Sequence, residues 1–223
     1  MEPAEIYEAS RGRLLELATR LDDAGVGAPL QATPPWTVLD GYRHLTGVCA
    51  DVLDGAMEGA ASPGWTAAQL AARADRSIAE VTAEWGRRGP DIDARMRETG
   101  ERMSFMAFDA WTHEQDIRAA TDQSGLRDDE AVPSLADLCL RTFRARYAGS
   151  GAPAVAVVIG DHDYTLGEGA PAATLRTTPY ELLRIVFGRR SRHQVEAAGW
   201  EGEPAVVIDA FHLFDFPARD IAD

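Results

Sequence analysis

One carboxylate and two histidines have the types and spacing that a catalytic metal site requires. Asp109 and His113 are four residues apart, so on a helix their side chains lie one above the other on the same face. If His44, from an earlier segment, faces them, the three side chains form a two-histidine, one-carboxylate set. Structural zinc sites use four protein ligands, whereas catalytic sites keep a position open for solvent or substrate. Such a set has the arrangement of an open, catalytic metal site.

Two further aspartates stand where they can orient the predicted ligands. Asp40 precedes His44 by four residues and Asp116 follows His113 by three, so each can accept the ring N–H that faces away from the metal. A structural interpretation is also open, in which Asp40 caps its helix, Asp116 pairs with a nearby arginine and both histidines are satisfied in the core. From spacing alone, this structural interpretation is favoured.

Helices must position these residues, because apolar residues in the first half of the chain recur with a helical period. We expect four helices joined by loops of moderate length, which is typical of a helix bundle. Thr37 and Asp40 have the spacing of a capping box, which predicts the start of the helix that carries His44. The helix that carries Asp109 and His113 is expected over about residues 101–121.

The third helix of the bundle is expected between these two. Its apolar stripe begins near Leu70 and includes Trp85, with Thr66 as a candidate N-cap. Gly86 and the pair Gly89 and Pro90 predict its end, because glycine and proline interrupt helices. We expect residues 91–100 to form a charged linker exposed to solvent. Trp36, Trp85 and Trp111 are interpreted as packing residues.

The second half of the chain has a mixed α and β pattern. A helix is expected over about residues 131–147, and another begins after Thr178. Short runs rich in β-branched residues, bounded by glycine and proline, predict strands at residues 155–159, 164–166, 172–176 and 206–208. The fold class is therefore α+β with two domains: a helix bundle over residues 1–125 and a small α+β domain over residues 126–223.

The composition excludes several classes of partner. The chain has 36 acidic and 22 basic residues, a formal net charge of −14, and every basic residue other than histidine is arginine. So acidic a protein repels nucleic acid and anionic lipid. No segment approaches the roughly 18 apolar residues of a membrane span, and Cys49 and Cys139 suggest neither a metal motif nor a disulfide framework. We expect a reduced, cytoplasmic protein that binds neither nucleic acid nor membrane.

One basic cluster stands out against this acidic background. Arg189, Arg190 and Arg192 are close together and are followed by His193. They are candidates for binding an anionic substrate. The alternative, slightly favoured, is that they are cations at a helix C-terminus, where the helix dipole stabilises positive charge.

Two segments of the bundle resemble a known family. Residues 36–47 (WTVLDGYRHLTG) and 108–118 (FDAWTHEQDIR) are similar to the two signature helices of the mycothiol-dependent maleylpyruvate isomerase family. That family belongs to the DinB-like metal-binding four-helix bundles. Residues 173–183 (ATLRTTPYELL) and 188–190 (GRR) resemble, more weakly, its C-terminal sterol-carrier-like domain. The resemblance therefore covers nearly the whole chain in order.

The resemblance implies a metal, a cosubstrate and a reaction class. It implies a divalent ion, usually Zn²⁺, bound by His44, Asp109 and His113, although Asp109 stands where the family has glutamate. It implies mycothiol as cosubstrate, whose thiol is deprotonated on a divalent ion and becomes a nucleophile. A lysine-free, arginine-rich chain agrees with the GC-rich actinobacteria that make mycothiol. We therefore expect an isomerase or thiol transferase that acts on a small electrophilic substrate.

Two other functions remain open at this stage. In the first, the protein is a non-catalytic module that binds a small apolar molecule, and the metal site is vestigial; the shorter carboxylate of Asp109 is the feature in its favour. In the second, the protein is a metal-dependent hydrolase in which water replaces the thiol as nucleophile. The sequence does not specify the substrate or the oligomeric state.

Overall fold

The computed structural model describes every residue from 1 to 223. The chain divides into two compact units, one formed by Met1–Ser124 with Asp223 and the other by Gly125–Ala222. The predicted boundary, after residue 125, lies next to this division. That the two units are independent domains stays a prediction.

The first unit is entirely helical. Its four long helices form a ring in which α1 packs against α5 and α6, and α3 packs against the same two helices. This is the arrangement of a four-helix bundle, as predicted. The helices of this unit are Pro3–Ala18 (α1), Asp23–Val26 (α2), Val38–Asp54 (α3), Pro63–Ala71 (α4), Ile78–Thr99 (α5) and Ser104–Ala120 (α6).

The start of α3 follows the predicted capping box. The Thr37 hydroxyl accepts from the Asp40 backbone N–H at 3.3 Å, and the Asp40 carboxylate accepts from the Thr37 backbone N–H at 3.0 Å. The helix ends at Gly55, whose left-handed backbone (φ 76°) suits glycine. Because α3 begins at Val38, His44 lies in its second turn, one face of which is buried in the bundle.

The prediction for the third helix was wrong at both ends. Leu70 belongs to the separate short helix α4, which Ser62 caps, and α5 then continues through Pro90 to Thr99. The apolar stripe explains this continuity, since buried residues recur along α5 past the proline. Burial of that stripe outweighs the backbone hydrogen bond that Pro90 cannot donate. The predicted linker over residues 91–100 is therefore mostly the last turns of a bundle helix.

Both cysteines are buried and protonated. Cys49 lies on α3 beside Tyr7, and burial raises the pKa of its thiol to about 11. Burial likewise raises the pKa of Cys139 to about 12. A nucleophilic cysteine needs a lowered pKa and access to solvent. Neither cysteine is therefore a candidate nucleophile, and any thiolate chemistry requires a thiol from outside the chain.

The second unit combines three helices with a four-stranded sheet. The sheet order is β2-β1-β3-β4, in which β1 pairs antiparallel with β2 and parallel with β3, and β3 pairs antiparallel with β4. The helix α7 packs against β2 and α8. The elements are Ala131–Gly149 (α7), Val155–Ile159 (β1), His162–Leu166 (β2), Ala173–Arg176 (β3), Pro179–Val186 (α8), Arg192–Glu196 (α9) and Gly199–Gly202 (β4).

One predicted strand is wrong. Residues 206–208 take part in short 3₁₀ turns instead, and the last strand is β4, which pairs Trp200 with Leu175 of β3. Val207 and Ile208 are buried, so their apolar character serves the core without any sheet pairing. The other strands and the Thr178 cap of α8 are confirmed. Across the chain, none of the helices has the length and hydropathy that crossing a bilayer requires.

Candidate metal centre

Two bundle helices bring the three predicted ligands together. His44 comes from α3, while Asp109 and His113 lie one turn apart on α6. Asp109 Oδ1 is 3.4 Å from His44 Nε2 and 3.6 Å from His113 Nε2. One ligand atom from each residue lies within 4.8 Å of the others. The convergence that spacing alone could not decide is therefore present in the fold.

The separations suit a small divalent ion. Two atoms that each lie 2.0–2.2 Å from a tetrahedral ion are about 3.4 Å apart. The two distances from Asp109 Oδ1, 3.4 and 3.6 Å, are close to that value. The donor set of two imidazole nitrogens and one carboxylate oxygen is one that Zn²⁺ accepts. These residues therefore fit the ion that the resemblance implies.

The histidines are shielded, whereas the carboxylate is partly open. The side chains of His44 and His113 keep 8% and 7% of their surface exposed, and that of Asp109 keeps 27%. Trp36, in the segment before α3, stacks on the His113 ring at 5.8 Å and is tilted against the His44 ring at 5.1 Å. The sequence suggested that Trp36 only packs in the bundle. In the structure it also forms one wall of the candidate site.

The inner nitrogen of His44 has a different partner from the one predicted. His44 Nδ1 lies 2.8 Å from Oε1 of Gln69, a buried residue of α4. Asp40 does not orient His44, because its carboxylate is bonded to Thr37 and to Arg43, the latter at 3.1 Å. The prediction for Asp40 is therefore wrong as an orienting residue: its local capping role uses the carboxylate, and Gln69 takes the place beside His44.

Asp116 lies where the sequence placed it. Its Oδ2 is 3.4 Å from Nδ1 of His113, and its side chain is almost fully buried, with 1% exposed. A carboxylate at this nitrogen favours the Nδ1–H form of the ring. The Nε2 atom of His113 then presents its lone pair on the side of Asp109.

The protonation pattern makes the centre attractive to a cation. Because Gln69 Oε1 accepts from Nδ1 of His44, a neutral His44 ring carries its lone pair on Nε2. That lone pair faces the carboxylate oxygen of Asp109 at 3.4 Å. Two acceptors at this distance repel each other unless a proton or a metal ion lies between them. The arrangement can therefore hold a positive charge at the point where the three ligand atoms converge.

The Asp40 cap gives a testable pH dependence. Burial raises the pKa of Asp40, but hydrogen bonds from Thr37 and Arg43 outweigh it and lower the pKa below the ordinary value of 3.8. A lowered folded-state pKa contributes stability above the unfolded pKa, and this is lost as pH falls through the folded one. We expect Asp40→Asn to destabilise by about 0.3–1 kcal/mol at neutral pH.

Urea unfolding of wild type and Asp40→Asn at neutral pH and at acid pH measures this contribution. The difference between the two proteins should shrink as the pH falls from 3.8, where the carboxylate becomes protonated in the unfolded state, through the lower pKa of the folded state. A difference that stayed constant across this range would contradict a charged cap.

The basic cluster is largely compensated within its own unit. Arg190 donates to both carboxylate oxygens of Glu181, each at 2.8 Å, and Arg192 pairs with Asp209. Arg189 is buried and donates to the backbone carbonyl of Phe187 at 2.7 Å.

The alternative interpretation of that cluster does not describe Arg192. The helix α8 ends at Val186, and Arg192 is the first residue of α9, so this arginine does not lie at a helix C-terminus. Anion binding by Arg189, Arg190 and Arg192 stays a prediction.

The sequence reasoning missed Gln69 because nothing in its own spacing relates it to His44. A signal was present at Gly47, three residues after His44 and on the same helical face. A Cβ built at Gly47 would lie 2.6 Å from Cβ of Gln69, closer than such atoms approach in proteins. A glycine on the face that carries a candidate ligand indicates the close approach of another helix.

Comparisons with known proteins support the fold. Neither a protein-family model nor a curated protein sequence matches the chain. Among solved structures, the mycothiol-dependent maleylpyruvate isomerase matches with a TM-score of 0.53 and 12% sequence identity, over 84% of this chain and 88% of that one. A histidine-to-alanine mutant of that enzyme matches with the same values. At this identity the likeness shows a shared fold.

Proposed function

We propose that the protein is a divalent-metal-dependent enzyme in which His44, Asp109 and His113 hold a Zn²⁺ ion and mycothiol is the cosubstrate. The observation that carries the proposal is the convergence of three ligand atoms, with the His44 lone pair directed at a carboxylate oxygen. The fold shared with a mycothiol-dependent isomerase supports the thiol as cosubstrate. The sequence resemblance at residues 36–47 and 108–118 points to the same family.

Each residue of the proposed metal site has a separate role. Zn²⁺, when bound, supplies a Lewis acid that lowers the pKa of a thiol. His44 and His113 supply neutral nitrogen ligands, and Asp109 supplies a negative charge that offsets part of the charge of the ion. Trp36 shields the two imidazoles from water on one side. Three protein ligands leave room for an exogenous group, as catalytic sites require.

The reaction class follows from a thiolate nucleophile. The thiolate sulfur adds to one carbon of an electron-poor C=C double bond of a small substrate. The π bond breaks, and its electron pair moves to the other carbon, which takes up a proton where the adduct is kept. The step forms a C–S bond. In a transferase that bond remains, whereas in an isomerase it breaks again after rotation about the former double bond.

An anionic substrate is an extension of this proposal that rests on Arg189, Arg190 and Arg192. We propose that the protein acts in the cytoplasm.

Metal content and thiol dependence together test the proposal. Protein purified without chelators should contain close to one divalent ion per chain by emission spectroscopy. Turnover of electrophilic test substrates, such as maleyl-type double bonds, should require mycothiol and stop when the ion is removed. Metal-dependent turnover without thiol would instead indicate a hydrolase. A co-purified apolar ligand, with no metal uptake even on reconstitution, would indicate a binding module, and either result would overturn the proposal.

A further inference from the structure

A chain of two hydrogen bonds links His44 to the far end of its own helix. Gln69 Oε1 lies 2.8 Å from His44 Nδ1, and Gln69 Nε2 donates to Oδ2 of Asp51 at 2.8 Å. Gln69 is buried, with 3% of its surface exposed. Its amide therefore spans the space between a ring nitrogen and a carboxylate that are seven residues apart on α3.

Asp51 decides which way the Gln69 amide points. An ionised carboxylate only accepts hydrogen bonds, so the group of Gln69 that faces Asp51 must be the NH₂ donor. The amide oxygen then faces His44, where it can only accept. Turning the amide over would set its oxygen against the Asp51 carboxylate and lose that hydrogen bond. Asp51 thus fixes the direction of the amide, although two hydrogen bonds in series separate its carboxylate from the His44 imidazole.

The helix that carries Gln69 is anchored in several places. Gly47 lets α4 approach α3 closely, because any side chain there would collide with Cβ of Gln69. Arg73 donates to the Gln69 backbone carbonyl at 3.3 Å and also to both carboxylate oxygens of Glu84 on α5. Arg43, next to His44, donates to the Ala74 carbonyl at 2.5 Å. The amide is therefore held in place by contacts with two long helices of the bundle.

We propose that Asp51 and Gln69 are a positioning pair that fixes the proton of His44 on Nδ1 and directs the Nε2 lone pair toward Asp109 and His113. The pair acts on the proposed metal site, and in that respect it rests on the proposed function. A metal-ligating histidine commonly donates its other N–H to a carboxylate or carbonyl. Here the carboxylate acts through an amide. Because Asp51 accepts a hydrogen bond from the NH₂ group of Gln69, the amide oxygen of Gln69 is the atom that accepts from Nδ1 of His44.

Asp51→Asn tests the pair with a nearly isosteric change. An asparagine can donate as well as accept, so it allows the Gln69 amide to turn over and present its NH₂ to His44. In metal-free protein at about pH 8, where an ordinary imidazole is neutral, long-range ¹H–¹⁵N spectra distinguish protonated from unprotonated ring nitrogens. We expect wild-type His44 to be protonated on Nδ1 and Asp51→Asn to shift its proton toward Nε2. The Zn²⁺ dissociation constant should rise about 10–100-fold.

Two further variants separate positioning from general damage. The double variant Asp51→Asn with Gln69→Glu exchanges the amide and the carboxylate, keeps the net charge and restores an obligate acceptor to Nδ1. It should return both the ring-nitrogen pattern and the Zn²⁺ affinity toward wild type. Asp54→Asn is the matched control, since it makes the same change on the same helix but removes only an exposed ion pair with Arg88. It should leave both readouts unchanged.

These experiments distinguish failure of the positioning pair from failure of the proposed function. An unchanged His44 nitrogen pattern in Asp51→Asn, or a double variant that folds and does not recover, would overturn the positioning pair. The expected change of pattern in a protein that never takes up metal would support the pair as the control of the His44 tautomer, while overturning the proposed function. Thermal unfolding of each variant shows whether the fold is intact, and if Asp51→Asn does not fold, the double variant alone decides.

Discussion

The His44→Ala and His113→Ala variants should each bind Zn²⁺ more than about 100-fold more weakly than wild type, since loss of a ligand exceeds the 10–100-fold effect of losing an orienting partner. Each change removes one of the three converging ligand atoms and leaves two, too few to hold the ion against competition from water. Metal content after desalting should fall from close to one ion per chain to nearly none. Mycothiol-dependent turnover should be lost with it.

The matched control is His162→Ala. His162 is exposed at the start of β2, so the same substitution removes an imidazole that lies in the other unit of the chain. It should leave metal content and turnover as in wild type. Full metal content in both His44→Ala and His113→Ala, measured on folded protein, would show that the ion binds elsewhere.

The aspartate at position 109 is explained by the position of α6. The resemblance implies a glutamate, and an aspartate is one methylene shorter, so its helix must come closer to the ion. In the structure the Asp109 oxygen already lies 3.4 and 3.6 Å from the two imidazole nitrogens. The shorter side chain therefore places its oxygen beside both imidazole nitrogens. The aspartate at this position is thus compatible with a metal site as well as with the vestigial interpretation.

The sequence predicted which side chains converge at the candidate metal site better than it predicted the residues that hydrogen-bond to them. The pair of Asp109 and His113 follows from helical spacing, because one element positions both. His44 needed the resemblance, since spacing within one helix carries no information about which faces meet in the bundle. Gln69 could not be predicted in this way: its contact with His44 depends on how closely α4 approaches α3. The orienting role predicted for Asp40 was wrong because its carboxylate is used by the capping box at the start of α3 and by Arg43.

The length of α5 likewise could not be predicted from the sequence. Gly86, Gly89 and Pro90 predict a break when propensity is considered alone. In the fold, the space left by Gly89 is filled by the Arg11 guanidinium, which pairs with Asp93 one turn later on α5. The glycine is therefore a packing requirement of the bundle rather than an end signal. Tertiary packing overrides helix propensity here. The sequence alone does not indicate that Arg11 of α1 packs against Gly89.

The helix α6 carries a second set of interactions, and the largest expected effect on stability lies there. The Glu114 side chain is fully buried and accepts from Arg13 of α1 through both oxygens, at 2.6 and 2.7 Å, and from Arg118 at 3.0 Å. Removal of one partner of a buried ion pair leaves the other charge uncompensated. We expect Glu114→Ala to destabilise the protein by about 3 kcal/mol, the lower end of the usual range because Arg13 keeps a quarter of its side chain exposed.

Urea unfolding compares this variant with Glu16→Ala, which removes the carboxylate of an exposed pair with Arg20 and should cost about 0.5 kcal/mol or less. Adjacent residues on a helix point about 100° apart, so Glu114 and His113 face different neighbours. The Glu114→Ala variant should therefore still bind Zn²⁺ with close to wild-type stoichiometry at temperatures where it is folded, while His113→Ala should lose the ion and keep most of its stability. Loss of metal from folded Glu114→Ala would show that the Arg13 contact also positions the site, and the two faces of α6 would then not be separable.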